Sequence, residues 1–459
     1  MSQVEASQLL GLAGKHRPYP EYKGAGVEWV GDVPEHWRVG RLGSFGYFIA
    51  GCGFPHEDQG RQDEIYPFYK VSDTNHVGNE KYLSKADNYV SKDIASKLGA
   101  RICSAGGIMF PKVGAALLGN KRRILTQPSI TDNNTMVYFS YEGDSSYWYY
   151  WLSLLDFGQL SNPGPVPSIN ESQLKDFVAI CPTQGERQQI AAFLDYETAR
   201  IDRLIAQQLR LIELLKEKRQ AVISHAVTKG LNPDAPMKDS GIEWLGQVPE
   251  HWEVTRLKYI GDAKNGLTYS PDDVVSEGDG VLVLRSSNIQ NAKLSFTDNV
   301  YVNMDIPGRI RTKKNDLLIC SRNGSRKLIG KNALITEEAI GMAFGAFMVL
   351  YRSNLNSYLY WVLNSPLFEY QSGSFLTSTI NQLTIGNLGS MEIPLPPCEE
   401  REMIERSLKE KDSYFERLVQ LSNRKVELLQ ERRTALISAA VTGKIDLRGW
   451  TPPAEEVAA

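Results

Sequence analysis

A tandem repeat constrains the fold of this chain more than any other feature of its sequence. The stretch GVEWVGDVPEHW begins at Gly26, and GIEWLGQVPEHW begins at Gly241, 215 positions further on. Across residues 25–42 and 240–257, 12 of 18 aligned positions are identical, which shared composition alone would not produce. The chain is therefore a tandem duplication, and its two halves have to be interpreted together.

A second repeat closes each half. The first half ends with RLIELLKEKRQAVISHAVTKG, from Arg210 to Gly230, and the second ends with KVELLQERRTALISAAVTG, from Lys425 to Gly443. Strong helix formers dominate both segments, no proline interrupts them, and a glycine stands at each end. We predict two long helices.

Apolar residues recur along both segments in steps of four and three, which is the pattern of a coiled coil. Polar residues interrupt the two seams at equivalent positions, and the opposite charges of Glu197 and Lys411 favour pairing within the chain. Two amphipathic helices, each packed on its own domain, are the alternative. The predicted seam is Ile190, Leu194, Ile201, Leu204, Leu211, Leu215 and Val222 in the first copy and Ile404, Leu408, Phe415, Leu418, Lys425, Leu429 and Leu436 in the second.

Composition narrows the class of protein. The five cysteines have no spacing typical of a zinc site or a disulfide framework, so a reducing cytoplasm is expected. The N-terminal region carries Lys15, His16 and Arg17 where a secretory signal would be apolar, and no run is long enough to span a membrane. Because the net charge is only −3, any surface that binds nucleic acid must be local.

Between its opening motif and its long helix, each half has short β-rich runs separated by Gly, Pro, Asn and Ser clusters. This texture predicts a mostly β domain with some helix, including an aromatic helix at SYWYYWLSLL from Ser146 and at SYLYWVLNS from Ser357. The two domains barely match outside such anchors. Two divergent domains between repeated motifs suit a protein that recognises two different targets with one scaffold.

Polar, basic segments follow predicted strands at matching places in both halves. Arg and Lys neutralise phosphates, Arg can bind guanine in bidentate fashion and Asn can bind adenine, so such loops suit DNA. A merely solvated surface is the alternative for each of them. The DNA-binding candidates are Lys70, Ser72, Lys112, Lys121, Arg122, Arg123 and Asn133 in the first half and Arg285, Ser287, Asn288, Arg322, Asn323, Ser325, Arg326, Lys327 and Lys331 in the second.

These repeated motifs resemble the specificity subunits of type I restriction-modification systems over nearly the whole chain, from about residue 19 to residue 444. The resemblance implies an α+β, pseudo-twofold molecule with two target-recognition domains and two helices in an antiparallel coiled coil. Each domain would read half of a bipartite double-stranded DNA target. The resemblance pairs Arg322-x-Gly324 with Lys112-x-Gly114 as the DNA-contacting loop. The first copy lacks the basic residues that follow in the second, so its contacts could shift to Lys121, Arg122, Arg123, Gln127, Asn133 and Asn134.

The predicted domain bounds follow from the two repeats. They are an N-terminal extension at 1–24, recognition domains at 25–182 and 231–396, spacer helices at 183–230 and 397–444, and a tail at 445–459.

The chain lacks catalytic motifs of its own. It has no N/D-P-P-Y/F methyltransferase motif, no P-loop and no nuclease constellation. The resemblance assigns catalysis to partners, namely methyltransferase subunits that use S-adenosylmethionine and restriction subunits that need ATP and Mg²⁺. A coiled-coil scaffold without DNA recognition is the alternative, and a fusion with its own activity is disfavoured.

The opening motifs are predicted to be structural, with Trp29, Trp37, Trp244 and Trp252 packing a turn that brings each domain onto the helices. An acid–base pair at Glu35 and His36, or at the equivalent residues of the second copy, is the less favoured interpretation. Exposed helix residues such as Lys216, Glu217 and Arg219 are candidates for docking partner subunits or are simply solvated.

Overall fold

A computed structural model describes residues 17–162, 164–375 and 382–453. The chain divides into two compact units. Unit 1 comprises residues 1–208 and 425–459, and unit 2 comprises residues 209–424. Among the described residues, unit 1 therefore contains segments from both halves of the chain.

Within the described residues, the first half of the chain contains twelve strands and seven α-helices. The strands are β1 (Tyr22–Gly24), β2 (Asp32–Pro34), β3 (Arg38–Arg41), β4 (Gly46–Ala50), β5 (Tyr66–Tyr69), β6 (Tyr82–Leu83), β7 (Tyr89–Val90), β8 (Ile108–Pro111), β9 (Arg123–Leu125), β10 (Ile130–Thr131), β11 (Thr135–Ser140) and β12 (Val178–Cys181). The helices are α1 (Leu42–Phe45), α2 (Lys92–Lys97), α3 (Ala115–Leu118), α4 (Ser145–Leu152), α5 (Phe157–Leu160), α6 (Glu171–Lys175) and α7 (Gln184–Lys229).

The second half repeats this order with local changes. Its strands are β13 (Met237–Asp239), β14 (Gln247–Pro249), β15 (Glu253–Arg256), β16 (Asp262–Asn265), β17 (Val274–Val275), β18 (Val281–Leu284), β19 (Ile289–Gln290), β20 (Lys293–Leu294), β21 (Tyr301–Val302), β22 (Leu317–Cys320), β23 (Asn332–Leu334), β24 (Ala343–Phe344), β25 (Met348–Arg352) and β26 (Glu392–Leu395). Its helices are α8 (Leu257–Ile260), α9 (Asn356–Leu363), α10 (Pro366–Phe375), α11 (Ile385–Ser390) and α12 (Cys398–Val441).

Each unit builds its sheets in the same way. In unit 1 the order β4-β11-β8-β9-β6 forms a five-stranded sheet, and in unit 2 the order β16-β25-β22-β23 forms its counterpart. The aromatic helices α4 and α9 lie in the cores, with Trp151 and Tyr358 fully buried. A parallel pairing of β5 with β10, matched by β18 with β24, carries a short turn at the end of β5 and of β18.

The long helices pair in antiparallel fashion within each unit, as the sequence predicts. In unit 1, Asp202 of α7 accepts a hydrogen bond of 2.9 Å from Arg433 of α12. In unit 2, the repeat-equivalent Arg219 pairs with Asp412. The apolar seam is buried at both places, for instance at Ile201. Arg219 is therefore engaged between helices, and its interpretation as an exposed docking residue is wrong.

The predicted heptad drifts from the observed contact line in the middle of α7. Leu211 is 42% exposed, whereas its neighbour Ile212 is only 7% exposed. Seven residues of a straight helix turn about 20° less than the two full turns of a strict 3.5-residue repeat, so the contact line moves to the next residue after several heptads. Glu197 likewise pairs with Arg200 of its own helix, at 3.2 Å.

A carboxylate at the start of each long helix, buried in unit 1 and partly buried in unit 2, holds the opening motif. In unit 1, Glu186 is 7% exposed and lies 2.9 Å from His36 Nε2, and it accepts a hydrogen bond of 3.2 Å from the Trp37 indole. In unit 2, Glu400 binds His251 at 2.6 Å and the Trp252 indole at 2.9 Å. His36 thus pairs with the helix and not with Glu35, which supports the structural interpretation of the motif.

The same motif also closes on the end of the other long helix. In unit 1, Gly443 at the end of α12 has φ +72°, and a Cβ there would overlap the ring of Pro34. In unit 2, Gly230 at the end of α7 has φ +77° and lies against Trp252. Each opening motif therefore joins the start of one long helix to the end of the other within a single unit.

Exposed Trp29 departs from the expectation for the opening motif. Trp37 and Trp252 are fully buried, but Trp29 is 45% exposed, and its ring lies 5.3 Å from that of Phe177 and 6.4 Å from that of Trp151. In the part of the chain that the structure describes, no helix is both long and apolar enough to cross a membrane.

We predict that Glu186→Gln lowers the free energy of unfolding of unit 1 by about 1–3 kcal/mol, because His36 and Trp37 lose a charged acceptor. Burial opposes ionisation of this carboxyl, but hydrogen bonds from Thr183, His36 and Trp37 outweigh it and lower its pKa. A lowered pKa stabilises the fold above the usual value of 4.5, and this contribution is lost as the pH falls through the folded pKa. Calorimetry between pH 7 and pH 3 measures both effects.

Exposed Glu213 provides the matched control for this substitution. Its side chain is 63% exposed in α7, so Glu213→Gln should leave stability within about 0.5 kcal/mol of the original. Equal losses in the two variants would contradict the role assigned to Glu186.

Candidate nucleic-acid interface

A short turn follows β18 in unit 2 and includes three of the predicted DNA-binding residues, Arg285, Ser287 and Asn288. Residues Ser286–Asn288 form one 3₁₀ turn, and Asn288 is fully buried beneath it. Its Oδ1 accepts a hydrogen bond of 2.9 Å from the Arg285 backbone, and its Nδ2 donates to the Ser295 carbonyl at 3.0 Å. Asn288 therefore shapes the turn and cannot reach DNA, which corrects its assignment as a contact residue.

Unit 1 has the same turn after β5, at Val71–Asn75. Here Asp73 is fully buried, and its Oδ2 accepts a hydrogen bond of 2.6 Å from the Lys70 backbone. Lys70 and Arg285 consequently occupy the same place in the fold, as do Ser72 and Ser287. The predicted correspondence between these segments holds because a buried side chain caps each turn in the same way.

The basic loop of unit 2 lies beside this turn. Asn323 Nδ2 donates to Ser286 Oγ at 3.3 Å, and Lys331 Nζ donates to the Ser286 carbonyl at 3.3 Å. Burial lowers the pKa of Lys331. Two segments that are far apart in sequence thus form one polar surface, which includes the exposed residues Arg322, Ser325, Arg326 and Lys327.

Sequence reasoning missed an aromatic member of this surface. Phe347, directly before β25, is 57% exposed, and the Arg322 guanidinium lies over its ring at 5.2 Å. A guanidinium on an aromatic face keeps its outer edge available for bidentate hydrogen bonding. Phe347 begins the apolar run that contains β25, and nothing in the sequence pattern distinguishes its exposed ring from the buried side chains that follow.

The corresponding surface of unit 1 is assembled by Lys121 and Arg123. The Lys121 ammonium binds the Asn75 side chain, and Arg123 donates to the Thr74 carbonyl at 2.9 Å. Strand pairing makes Lys121 the counterpart of Lys331, because β9 and β23 align with β8 and β22 in the same register. Both lysines therefore reach the turn from the same position.

Arg122 lies in the core, between these two residues. It is 3% exposed, its guanidinium donates to the Leu155 carbonyl, and it stacks on the Phe157 ring at 3.9 Å. Burial lowers its pKa to about 10. Its assignment as a DNA contact is therefore wrong, because packing turns this side chain inward.

The two basic loops are one residue out of the register predicted from the sequence. The Lys112 carbonyl accepts from Ile169 N at 2.9 Å, and the Ser321 carbonyl accepts from Leu383 N at 2.7 Å. Lys112 thus corresponds to Ser321, and not to Arg322. Lys112 lies instead beside the turn that carries exposed Asn133, since its backbone N–H donates to Asn134 O at 2.8 Å.

One group of side chains among the described residues has ligand atoms close enough for a cation. Atoms of Asp73, His76 and Asp87 lie within 4.8 Å of one another. Asp73 already accepts backbone hydrogen bonds from Lys70 at 2.6 Å and Asp87 at 3.1 Å. We interpret this cluster as the support of the turn.

Two tandem domains of one design, each joined to long paired helices and each with a polar basic surface beside a capped turn, define a modular DNA-recognition protein. The chain belongs to the type I restriction modification DNA specificity domain family, whose profile matches residues 34–214 and 249–436. Family membership makes it a specificity subunit and not a catalytic one.

Named relatives agree with this assignment. The MjaVIII specificity subunit of Methanocaldococcus jannaschii is 24% identical over 430 residues, which cover 91% of this chain and 94% of that protein. The EcoKI specificity subunit of Escherichia coli is 25% identical over 211 residues, or 44% of each chain. A chain in a solved structure that concerns complex assembly and conformational transition of a type I system superposes with a TM-score of 0.67 at 15% identity, and covers 89% of this chain and 98% of its own. That likeness concerns the fold.

We predict that Arg122→Ala and Lys121→Ala separate the structural from the surface role of this strand. Loss of Arg122 removes a donor to the core and leaves a cavity, so it should destabilise unit 1 by about 2–4 kcal/mol. Loss of half-exposed Lys121 should change stability by less than about 0.5 kcal/mol. Hydrogen exchange of peptides from residues 108–157 measures both, and equal destabilisation would contradict the assignment.

Proposed function

We propose that each unit reads one half of a bipartite double-stranded DNA target through the surface between its capped turn and its basic loop. One observation carries this proposal. In both units a lysine at the same strand position, Lys121 or Lys331, contacts the turn that follows the parallel strand. This contact joins two polar segments into one surface at equivalent places of two divergent domains.

The proposed contacts in unit 2 divide by chemistry. Arg322 on Phe347 and Asn323 beside the turn have the donor geometry for base edges, whereas exposed Arg326 and Lys327 suit phosphates. Arg285 is 33% exposed and pairs with Asp298 at 2.9 Å, so it supports the surface from its edge. Ser287, Ser325 and Lys331 complete the proposed set.

Unit 1 presents a different set of candidate DNA-contacting residues at the equivalent surface. Lys70, Ser72, Lys112, Lys121, Arg123 and Asn133 are exposed or half-buried there. Uncharged Ala115–Leu118 stand in unit 1 where the loop of unit 2 carries Arg326 and Lys327. We therefore infer that the two units read different half-sites.

We further propose that methyltransferase and restriction subunits perform the chemistry and dock on the long helices. Large apolar side chains are exposed along these helices, and exposed apolar patches mark interaction surfaces. Within unit 2, six of them are from 42% to 62% exposed. They are Leu209, Leu211, Leu214, Met403, Tyr414 and Leu421.

We predict that Arg322→Ala weakens binding of the assembled complex to its target by about 1–3 kcal/mol and relaxes the sequence preference in one half-site. Lys327→Ala should weaken binding to all sequences alike and reduce the slope of log K against log salt by about one. Fluorescence anisotropy at several salt concentrations measures both, with exposed Lys238→Ala as the control. An unchanged affinity in both loop variants would argue against this surface.

We also predict that exchange of residues 58–180 for the corresponding segment of another family member changes only one half of the recognised sequence. The capped turn and basic loop of unit 1 lie inside this segment, whereas the opening motif and both long helices lie outside it. Mapping of methylated adenines in cells that carry the complex gives the answer. A change in both halves would contradict reading by separate domains.

A further inference from the structure

An apolar turn lies on the polar surface of unit 2. Residues Gly345–Met348 form this turn between β24 and β25, and Met348 N donates to Gly345 O at 2.8 Å. Its two corner residues, Ala346 and Phe347, are both exposed. Contacts to phosphate use charge and hydrogen bonds, so phosphate binding does not account for an exposed apolar turn at this place.

The backbone fixes the apolar turn to both polar segments of the surface. The Phe347 carbonyl accepts hydrogen bonds from the basic loop, from Ser321 N at 2.9 Å, from Ser321 Oγ at 3.0 Å and from Arg322 N at 3.1 Å. Strand β24, directly before the apolar turn, pairs with β18, which leads into the capped turn. Phe347 is therefore held beside side chains that are proposed to contact DNA.

Arg322 and Phe347 form a pair of exposed side chains. The guanidinium carbon of Arg322 lies 5.2 Å from the centre of the Phe347 ring. Base pairs of B-DNA follow each other at about 3.4 Å along the helix axis. With the guanidinium on one base pair, the ring is therefore within reach of the neighbouring base pair.

The chemistry of the two side chains selects one group on each of these base pairs. Guanine presents N7 and O6 in the major groove, two acceptors for one guanidinium. The 5-methyl of thymine is the apolar group that a base pair presents there, and aromatic or small apolar side chains contact it. The pair of side chains thus matches a G·C base pair next to an A·T base pair.

Insertion between base pairs is the other way in which an exposed ring contacts DNA. An inserted ring is covered by bases on both faces. Arg322 already lies over one face of the Phe347 ring, which favours contact through the rest of the ring. The observed arrangement therefore favours the methyl group over insertion.

The same turn in unit 1, at residues 132–135, has polar corners. Its exposed corner residues are Asn133 and Asn134. The Asn134 carbonyl accepts a hydrogen bond of 2.8 Å from Lys112 N, just as the Phe347 carbonyl accepts one from Ser321 N. Asn134 therefore occupies the place of Phe347, and its amide suits an adenine edge instead of a methyl group.

Arg322 also has an uncharged counterpart in unit 1. The β-bridge of Arg322 to Gln382 matches that of Val113 to Ser168. Both members of the pair thus differ between the units, although the backbone hydrogen bonds around them correspond. A side-chain pair confined to unit 2 indicates a base step that only one half-site requires.

We propose that the half-site of unit 2 contains a G·C base pair next to an A·T base pair, with Arg322 bound to the guanine and Phe347 against the thymine methyl. The inference rests on the proposed function and deepens it. It makes Phe347 a specificity-determining residue that recognises thymine by its methyl group.

The test uses the chain assembled with its methyltransferase subunits and duplexes that carry the target mapped from methylated adenines. Each thymine of the target is replaced in turn by deoxyuridine, which removes only the 5-methyl group. At one position we expect binding to weaken about fourfold, the effect of taking one methyl group out of an apolar contact. Fluorescence anisotropy measures each affinity.

The variant Phe347→Asn introduces the residue that unit 1 carries in this turn, so the turn should be retained. It should bind the thymine and deoxyuridine duplexes equally at that position, whereas Phe347→Leu keeps an apolar contact and should still distinguish them. Tyr259→Asn is the matched control, because Tyr259 is a 70% exposed ring of α8 with the Lys258 ammonium 4.9 Å from its centre. This control should keep the fourfold difference.

The guanine is located with 7-deazaguanine, which lacks the N7 acceptor. One such replacement should weaken binding of the original chain about tenfold and should have little effect on Arg322→Val, which carries the residue of unit 1. That guanine should belong to the base pair next to the thymine found with Phe347→Asn.

Four results would overturn the proposal. These are a mapped half-site of unit 2 without adjacent G·C and A·T pairs, a deoxyuridine effect that persists in Phe347→Asn, no deoxyuridine effect at all, and sensitive bases that are not neighbours. Brighter 2-aminopurine fluorescence that depends on Phe347 would indicate insertion and would overturn it as well. Failure of the proposed function is distinguishable, since the original complex would then bind the unsubstituted target and unrelated duplexes alike.

Discussion

The carboxylate at the first turn of each long helix is the interaction on which the rest of this structure depends. A buried charge is tolerated only with hydrogen-bond donors around it, and Glu186 finds them in Thr183, His36 and Trp37. His36 and Trp37 belong to the opening motif and Thr183 directly precedes the long helix, so this one carboxylate ties the motif to its helix. Glu400 repeats the arrangement in unit 2.

The opening motifs also restrict which residue can stand at the C-terminal end of each long helix. Gly443 and Gly230 must be glycine because φ is positive and the prolines and tryptophans of the opening motifs lie against them. In unit 1, residues from the two halves of the chain meet, since Asp446 N donates to Arg17 O at 2.8 Å.

Both units keep a buried side chain that caps the turn, whereas the exposed side chains around the turn differ between them. Asp73 and Asn288 differ in charge but hold the same turn, and Lys121 and Lys331 reach it from the same strand position. The lysines beside the aromatic helices differ in their partners, since Lys81 pairs with Asp195 in unit 1 and Lys293 pairs with Glu416 in unit 2.

The sequence by itself determined the duplication, the two long helices, the structural role of the opening motifs and the position of the polar turns, because repeats and helical periodicity are local patterns that persist whatever the tertiary contacts. Only the tertiary structure decided which side chains of those segments face solvent. Arg122 and Asn288 are buried, Phe347 is exposed, and Lys112 corresponds to Ser321. Ile212 replaces Leu211 at the helix contact. Each of these outcomes depends on strand register, helix drift or packing between residues far apart in the chain, and a linear pattern does not contain that information.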